Sequence, residues 1–358
     1  MAPSGEGDSL IMQNQSSAYV VKSGLFTTVQ DDGRFGHQRI GVPVGGAMDG
    51  YALRAANALV GNGPRAAALE LTLAGFALRL DADALVAVTG GGSSPTVDGC
   101  PLPAWRAVFV RRGAELAFAP AASGCRAYLA IAGGFAVPAV LGSRGTHVPS
   151  RLGGLDGRPL RAGDALPVGA PEPAAAALLA KLRGEAGDAA WAAPAWGVSP
   201  HALPAYDDHP VVRVTPGPEY ERFAPDSLRL FLASAFVVSS RSDRMGYRLD
   251  GPRLELAGAG AGSLLSEPVT AGTVQVPPDG LPVVLMADRQ TTGGYPRIAQ
   301  VSEADLPLLA QARPGAQVRF ELIGHAESRQ WLLAVRLEEL MLRAGIGMRM
   351  REETERYG

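Results

Sequence analysis

Short apolar and alternating segments, separated by turns rich in Gly, Pro and Asp, fill the chain from Lys22 to about Gly169. Typical segments read "FALRLDADALVAVTGGG", "AVFVRRGAELAFAP" and "GCRAYLAIAGG". Strands of this length and spacing are typical of a β-sandwich or a β-barrel. One stretch has helical periodicity instead, "MDGYALRAANALVGN", in which Asp49 is the predicted N-cap and Gly61 with Asn62 the predicted stop.

The second half of the chain opens with an Ala-rich helix, predicted by "PEPAAAALLAKLRG". The sequence then loses its periodicity and gains Pro and Trp, which marks a domain boundary. Strand-like segments resume at about Val211 and are interrupted by "SEADLPLLAQA", where Ser302 and Asp305 occupy capping-box positions. "ESRQWLLAVRLEELMLRAG" predicts an amphipathic helix, and the charged end after it is expected to fray.

These patterns predict a mainly β protein of two β-barrel domains, with a few short helices and a C-terminal helix. A chain of 358 residues is long enough for two separate cores. The predicted divisions are 1–19, a disordered segment; 20–170, the first barrel; 171–208, a helix and linker; 209–325, the second barrel; and 326–358, a helix and tail.

Charge and cysteine content narrow the function classes. The formal net charge is −2, and the 33 basic side chains are scattered, so the chain lacks the electrostatic footprint of a nucleic-acid or membrane-surface binder. Two cysteines without C-x-x-C spacing argue against a disulfide scaffold or a thiolate metal site. No apolar signal segment or long apolar run is present, so we expect a cytoplasmic protein with neither nucleic acid nor membrane as partner.

Familiar catalytic motifs are mostly absent. The sequence has no phosphate-binding G-x-x-x-x-G-K-[ST] loop and no G-x-S-x-G elbow, and its five histidines form no H-x-x-x-H pair. A metalloprotease and a serine hydrolase are therefore not supported, and we predict no metal site.

Four polar clusters in Gly-containing turns stand out instead: "TTVQDDGRFGHQR", "GSRGTHVPSRLGG", "RSDRMGYRLDG" and "MADRQTTGGYPR". Arginine suits such turns because its planar fork binds carboxylate or phosphate at two points. We predict that the arginine-bearing turns of both domains converge on a single anion-binding crevice.

The individual clusters leave alternatives open. Residues 241–251 form either an internal Arg–Asp network or a ligand contact, because arginines and aspartates near an apolar barrel must be paired. Asp31, Asp32 and Arg34 form either a turn with an internal ion pair or part of a site. Glu70 is either a carboxylate with a raised pKa or, as we favour, a structural salt bridge.

Several stretches together resemble a known family. They include "TTVQDDGRFGHQRIGVPVGGAMD", "GGLDGRPLRAGDAL", "SDRMGYRLDG" and "AGTVQVPPDGLPVVLMADRQTTGGYPRIA". From residue 22 to 325 the chain is similar to the biotin-dependent carboxyltransferase-like proteins, which include the C subunit of 5-oxoprolinase, KipA-type proteins, allophanate hydrolase subunit 2 and part of urea carboxylase. One departure is Gly45, where many relatives have Ser.

The resemblance implies two cyclophilin-like β-barrels and a hydrolase that works as one subunit of a complex. The partners implied are a KipI-like B-type subunit, together with a LamB/YcsF-type protein as the A-type subunit. The complete enzyme opens the lactam 5-oxoproline to glutamate with ATP, with or without Mg²⁺. The alternatives are a carboxyltransferase component acting on urea or another small amide, and a KipA-like regulatory binding protein. The chain carries no covalently attached biotin, because "GMRM" has Arg349 where a biotinylation motif needs lysine.

Site roles follow as hypotheses. The residues predicted to stabilise charge during catalysis are Arg34, Arg244, Arg248 and Gln290. The residues predicted to bind substrate are Gln30, Asp31, Asp243, Arg289, Thr291, Thr292, Tyr295 and Arg297. Gly293 and Gly294 are predicted to let the backbone approach a cofactor closely.

Overall fold

The computed structural model describes residues 16–73, 75–258 and 264–355. The fold is mainly β with a C-terminal helix, which confirms the predicted fold class. The helices are α1 Gly50–Leu59, α2 Pro173–Ala186, α3 Pro225–Ala233, α4 Leu306–Gln311 and α5 His325–Glu355. The first-module strands are β1 Ser17–Ser23, β2 Phe26–Gln30, β3 Ala68–Thr72, β4 Phe76–Leu80, β5 Ala84–Gly90, β6 Ser93–Val97, β7 Cys100–Pro101, β8 Ala107–Val110, β9 Glu115–Pro120, β10 Arg126–Ile131, β11 Ala165–Pro167 and β12 Trp191–Ala192. The second-module strands are β13 Val211–Pro216, β14 Phe236–Val238, β15 Gly246–Asp250, β16 Glu267–Pro268, β17 Thr273–Gln275, β18 Val283–Leu285, β19 Thr292–Gly293, β20 Arg297–Val301 and β21 Gln317–Leu322.

The first module consists of two six-stranded sheets, in the orders β11-β1-β4-β9-β6-β7 and β12-β8-β5-β10-β3-β2. Strand β5 is apolar at nearly every position because both of its faces are covered. Its Val86 and Val88 belong to the core between the sheets, whereas Leu85 and Ala87 pack in a second core with the helices. The second sheet is thereby held between the first sheet and a helical layer.

Helices α1, α2 and the end of α5 form that layer. The predicted N-cap of α1 is confirmed, because the Asp49 carboxylate accepts a hydrogen bond from the Ala52 N–H at 3.0 Å. The helix ends at Leu59, and Gly61 follows with φ +73°, as the predicted stop requires.

The second module is a closed barrel of seven strands in the order β13-β20-β17-β18-β15-β14-β21. Strands β13 and β21 close it in parallel. The predicted capping box is wrong: Ser302 precedes a 3₁₀ turn without a side-chain cap, and the Asp305 carboxylate instead accepts hydrogen bonds from Arg213.

Helix α5 lies across both modules and is longer than predicted. It continues through the charged residues up to Glu355, so fraying directly after Gly345 is wrong; residues 356–358 lie outside the described part. Arg213 of β13 stacks over the Trp331 ring at 4.0 Å, which fixes the start of the helix, and Ile346 and Met350 enter the helical core at its end.

The predicted disordered segment 1–19 needs one correction, since Ser17–Ser23 is the paired strand β1. Residues 1–15 lie outside the described part of the chain. No helix among the described residues is both long and apolar enough to cross a bilayer.

Candidate functional site

A cleft of about 690 Å³ lies where the two modules and α5 meet. This volume is within the range of small-molecule sites. The first module contributes side chains that include Asp31, Asp32, Phe35, Met48, Tyr51 and Arg54. The second contributes Met286, Ala287, Arg289, Gln300, Ser302 and Glu303, and α5 contributes His325, Ser328, Arg329, Leu332, Arg336 and Glu339.

The turn after β2 forms one edge of the cleft. The Asp31 carboxylate accepts hydrogen bonds from the Ser143 hydroxyl at 2.7 Å and from the Arg144 N–H at 2.6 Å, which ties this turn to the loop at 138–145. Gln30 donates to the Thr146 carbonyl at 3.0 Å and is fully buried. These two predicted substrate-binding residues therefore hold two loops together, and Asp31 also lines the cleft.

Arg34 lies beneath the same edge. Its guanidinium donates to the carbonyls of Val140 and Gly145, each at 2.9 Å, and the residue is only 1% exposed. Burial lowers the pKa of Arg34, although Asp31 and Asp288 oppose this. The geometry supports a loop clamp, and direct stabilisation of substrate charge by Arg34 stays a prediction.

Arg244 is buried between the modules, and its partner Gly46 lies between the cleft-lining residues Gly45 and Ala47. Arg244 donates to both oxygens of Asp288, at 2.9 and 3.0 Å, to the Gly46 carbonyl and to Glu70 of the first module. The internal-network alternative for residues 241–251 is therefore the one the geometry supports, because the donors of Arg244 are taken by the protein itself. Charge stabilisation during catalysis by Arg244 stays a prediction.

Glu70 is the carboxylate on which this network converges. Burial by itself would raise its pKa, but the guanidiniums of Arg244 and Arg126, with hydrogen bonds from the Met48 N–H and the Tyr128 hydroxyl, hold the pKa below its usual range. The favoured interpretation of Glu70 as a structural salt bridge is confirmed.

The network continues through Asp49 and Gln311. The second Asp49 oxygen accepts from the Tyr206 hydroxyl at 2.7 Å and from Gln311 Nε2 at 2.9 Å. Burial raises the pKa of Asp49, and these hydrogen bonds with that of Ala52 work against the rise. The side-chain oxygen of Gln311 accepts from the N–H groups of Cys125 and Arg126, so one glutamine joins the modules.

Arg289 differs from Arg34 and Arg244 in its hydrogen bonding. Its Nη1 donates to the Met286 carbonyl at 3.2 Å and lies 3.5 Å from that of Ala287, while its buried Nε has no partner in the described structure. Burial lowers the pKa of Arg289, with Asp288 opposing the shift. A half-buried cation with an unpaired N–H in a cleft is a ready contact for an anion.

The α5 wall holds further ionic groups. Arg54 of α1 donates to Glu339 and also, at 3.2 Å, to Asp32, while Arg336 donates to Glu303 at 2.9 Å. Arg329 lines the cleft and has no hydrogen bond or ion pair to its side chain among the described residues.

The remaining predicted residues lie away from this cleft. Arg248 is exposed on β15, and Asp243 caps its own turn by accepting from the Met245 N–H at 2.8 Å. Gln290, Thr291 and Thr292 follow Arg289 without lining the cleft. The catalytic roles of Arg248 and Gln290 and the substrate-binding roles of the other three residues stay predictions.

Residues 293–297 have different surroundings on the second barrel: a separate pocket, an ion pair and a packed side chain. Gly294 and Tyr295 line a separate pocket of about 350 Å³, and Arg297 is held by Glu219 at 2.8 and 2.9 Å. A Cβ at Gly293 would stand 2.4 Å from Nε2 of the buried Gln275, so a side chain there would have to displace that amide, and the predicted cofactor contact of Gly293 and Gly294 stays a prediction. The predicted single crevice is thus formed in part: Asp31 and Arg289 share it, whereas Arg248, Tyr295 and Arg297 do not.

Comparison with known proteins agrees with this architecture. The family model described as "Carboxyltransferase domain, subdomain A and B" matches residues 40–322. The chain is 40% identical to the C subunit of 5-oxoprolinase from Haemophilus influenzae over 301 residues, which cover 84% of this chain and 89% of that protein. It is also 40% identical to the corresponding 5-oxoprolinase protein of Escherichia coli over 303 residues, with the same coverage of 84% and 89%.

Among solved structures, the K. lactis urea amidolyase superposes with a TM-score of 0.81 at 31% identity. The match covers 91% of this chain but 20% of that one, so this chain corresponds to one part of a much longer protein. The chain belongs to the carboxyltransferase domain family, subdomains A and B.

Proposed function

We propose that this chain is the C-type subunit of an ATP-dependent 5-oxoprolinase. The observation that carries the proposal is the 40% identity to two 5-oxoprolinase C subunits, of which the chain spans 89%. The expected partners are a KipI-like B-type subunit, together with a LamB/YcsF-type protein as the A-type subunit. ATP is the second substrate, with or without Mg²⁺.

In this proposal the cleft beside Arg289 holds 5-oxoproline. The Nη2 atom of Arg289 donates a charge-assisted hydrogen bond to the substrate carboxylate. ATP phosphorylates the lactam oxygen, and water attack at the activated carbon breaks the ring C–N bond. Hydrolysis of the resulting acyl phosphate releases glutamate and phosphate, and cationic groups stabilise the transferring phosphoryl.

A second candidate is a carboxyltransferase component that acts on urea or another small amide. The similarity to urea amidolyase, with a TM-score of 0.81, favours it. The biotin would then be carried by another chain, since this one lacks the biotinylated lysine motif.

Reconstitution with candidate partners from the same genome tests both candidate functions. The full chain is mixed with the KipI-like and LamB/YcsF-type proteins and supplied with 5-oxoproline and ATP, and glutamate and ADP are measured. Release of both products only when this chain is present supports the proposal. Carboxylation of urea from carboxybiotin, without glutamate release, would instead establish the second candidate.

A matched pair of variants links the activity to the cleft. Arg289→Gln removes the predicted carboxylate contact, whereas Arg351→Gln changes an exposed arginine on α5 that does not line the cleft. We expect R289Q to lower kcat/KM for 5-oxoproline by about 100-fold and R351Q to leave it unchanged. Equal activity of the two variants would place the substrate elsewhere.

A further inference from the structure

Four arginines and four carboxylates line the cleft, but they are not all paired with one another. Its carboxylates are all hydrogen-bonded: Asp31 to the 138–145 loop, Asp32 and Glu339 to Arg54, and Glu303 to Arg336. Arg289 and Arg329 line the same cleft and have no carboxylate partner within the described residues. Two cations from different elements are therefore left to face the cavity.

Arg289 keeps one guanidinium nitrogen for a ligand. Its Nη1 is engaged with backbone carbonyls and its Nε is buried without a partner among the described residues, so Nη2 is the atom left to meet a ligand. A charge-assisted hydrogen bond from Nη2 suits a carboxylate oxygen.

Arg329 comes from α5, which begins at His325, beyond the residues 40–322 that match the family model. Its backbone is held by contacts of its neighbours: the Ser328 hydroxyl lies 3.1 Å from that of Ser302, and the Trp331 ring stacks under Arg213 at 4.0 Å. The side chain itself is exposed and lines the cleft. Such a solvated guanidinium suits a doubly charged phosphate.

We infer that the cleft binds a ligand with two anionic groups, a carboxylate on Arg289 and a phosphate on Arg329. Arg329 is then a specificity-determining residue supplied by the helix outside the family match. The inference rests on the proposed function for the ligand's identity, because a phosphorylated intermediate of 5-oxoproline carries both groups. The site itself is defined by the two arginines and is testable without turnover.

Calorimetry on the full chain at about 150 mM salt tests the site with three probes. These are 3-phosphonopropionate, which carries both anionic groups, propionate, which carries the carboxylate, and methylphosphonate. We expect 3-phosphonopropionate to bind at least about tenfold more tightly than either single-anion probe. Arg329→Gln should weaken 3-phosphonopropionate by about tenfold and leave propionate unchanged, whereas Arg289→Gln should weaken both.

Arg351→Gln is the matched control, since it removes one exposed charge from the same helix away from the cleft. Equal affinities of R329Q and R351Q for 3-phosphonopropionate would overturn the inference, as would absence of any binding by the unmodified chain. The outcome is separable from the proposed function. Binding that depends on both arginines, without glutamate release in the reconstituted complex, retains the site and rejects the 5-oxoprolinase reaction.

Discussion

Glu70 shows how one residue can govern the stability of the buried network between the modules. It is 1% exposed and accepts hydrogen bonds from a guanidinium, a backbone N–H and a phenol. A carboxylate can be buried so completely only because Arg244 and Arg126 neutralise it. Removal of its charge leaves Arg126 without a carboxylate partner and Arg244 with Asp288 alone.

Glu70→Gln is therefore expected to lower the free energy of unfolding by about 3–5 kcal/mol, the usual result of leaving buried charges unpaired. Urea denaturation measures the change. Glu115→Gln is the control, because Glu115 pairs with Arg79 at the surface and its loss should cost less than about 1 kcal/mol. Similar losses for the two variants would contradict the network.

The pH dependence of the same residue follows from its lowered pKa. Because the folded pKa of Glu70 lies below the unfolded value of about 4.3, its contribution is complete above that value and is lost as the pH falls through the folded pKa. The stability difference between wild type and E70Q should be constant from about pH 5 to 8 and shrink at lower pH. A difference that grows on acidification would refute the lowered pKa.

Arg289 differs from Glu70, because we expect it to lower the stability of the free chain while it serves substrate binding. Its buried Nε has no partner among the described residues and therefore carries a desolvation cost. Arg289→Met should raise the free energy of unfolding of the free chain by about 1 kcal/mol while abolishing 5-oxoproline turnover in the complex. Arg297→Met, which removes the partner of Glu219, should instead destabilise the chain; destabilisation by both variants would contradict the assignment.

At the scale of elements, close contacts between two backbone segments determine the path of the chain where a strand leaves its sheet. Gly133 follows β10, and a Cβ there would stand 2.0 Å from the Gly169 carbonyl oxygen. Both segments can lie this close only because neither has a side chain at the contact. The approach brings the end of β10 beside the segment that leads to α2.

Gly133→Ala should therefore cost about 3 kcal/mol or more, from overpacking in addition to a strained backbone. Gly163→Ala separates the two effects: Gly163 has φ +91°, close to the +89° of Gly133, but has nothing within 4 Å of a new Cβ. Its substitution should cost about 1 kcal/mol. Equal melting temperatures of the two variants would show that the contact with Gly169 is unimportant.

At the scale of the whole molecule, the two modules are joined by buried hydrogen bonds. Gln311 of α4 bonds to Asp49 and to the backbone of Cys125 and Arg126, and Arg313 donates to the carbonyls of Ala121, Ala122 and Gly124. A cleft formed between modules needs such a joint, because its walls must keep their spacing.

Gln311→Ala should remove about 3 kcal/mol, since it leaves two N–H groups of the first module buried and unpaired. Hydrogen exchange is expected to accelerate in both modules, at 125–126 and in α4. Gln317→Ala, at an exposed glutamine of β21, is the control. Faster exchange confined to one module would contradict the joint.

The local elements were largely predictable. The Asp49 cap, the α2 helix and the alternating strands depend on interactions a few residues apart, which periodicity and capping residues report directly. The Ser302 and Asp305 capping box failed because Arg213, distant in sequence, binds the Asp305 carboxylate. A strong tertiary ion pair overrode a weak local preference.

The sequence by itself determined that the chain is mainly β with a C-terminal helix, and that Asp31 and Arg289 are candidate site residues, because periodicity and clustered polar turns are local signals. Only the tertiary structure decided that Arg244 belongs to an internal network and that Arg329 of α5 faces the same cleft as Arg289. Whether a guanidinium is free or paired depends on carboxylates brought from distant strands. That pairing is a property of the packed molecule, and no spacing along the chain reports it.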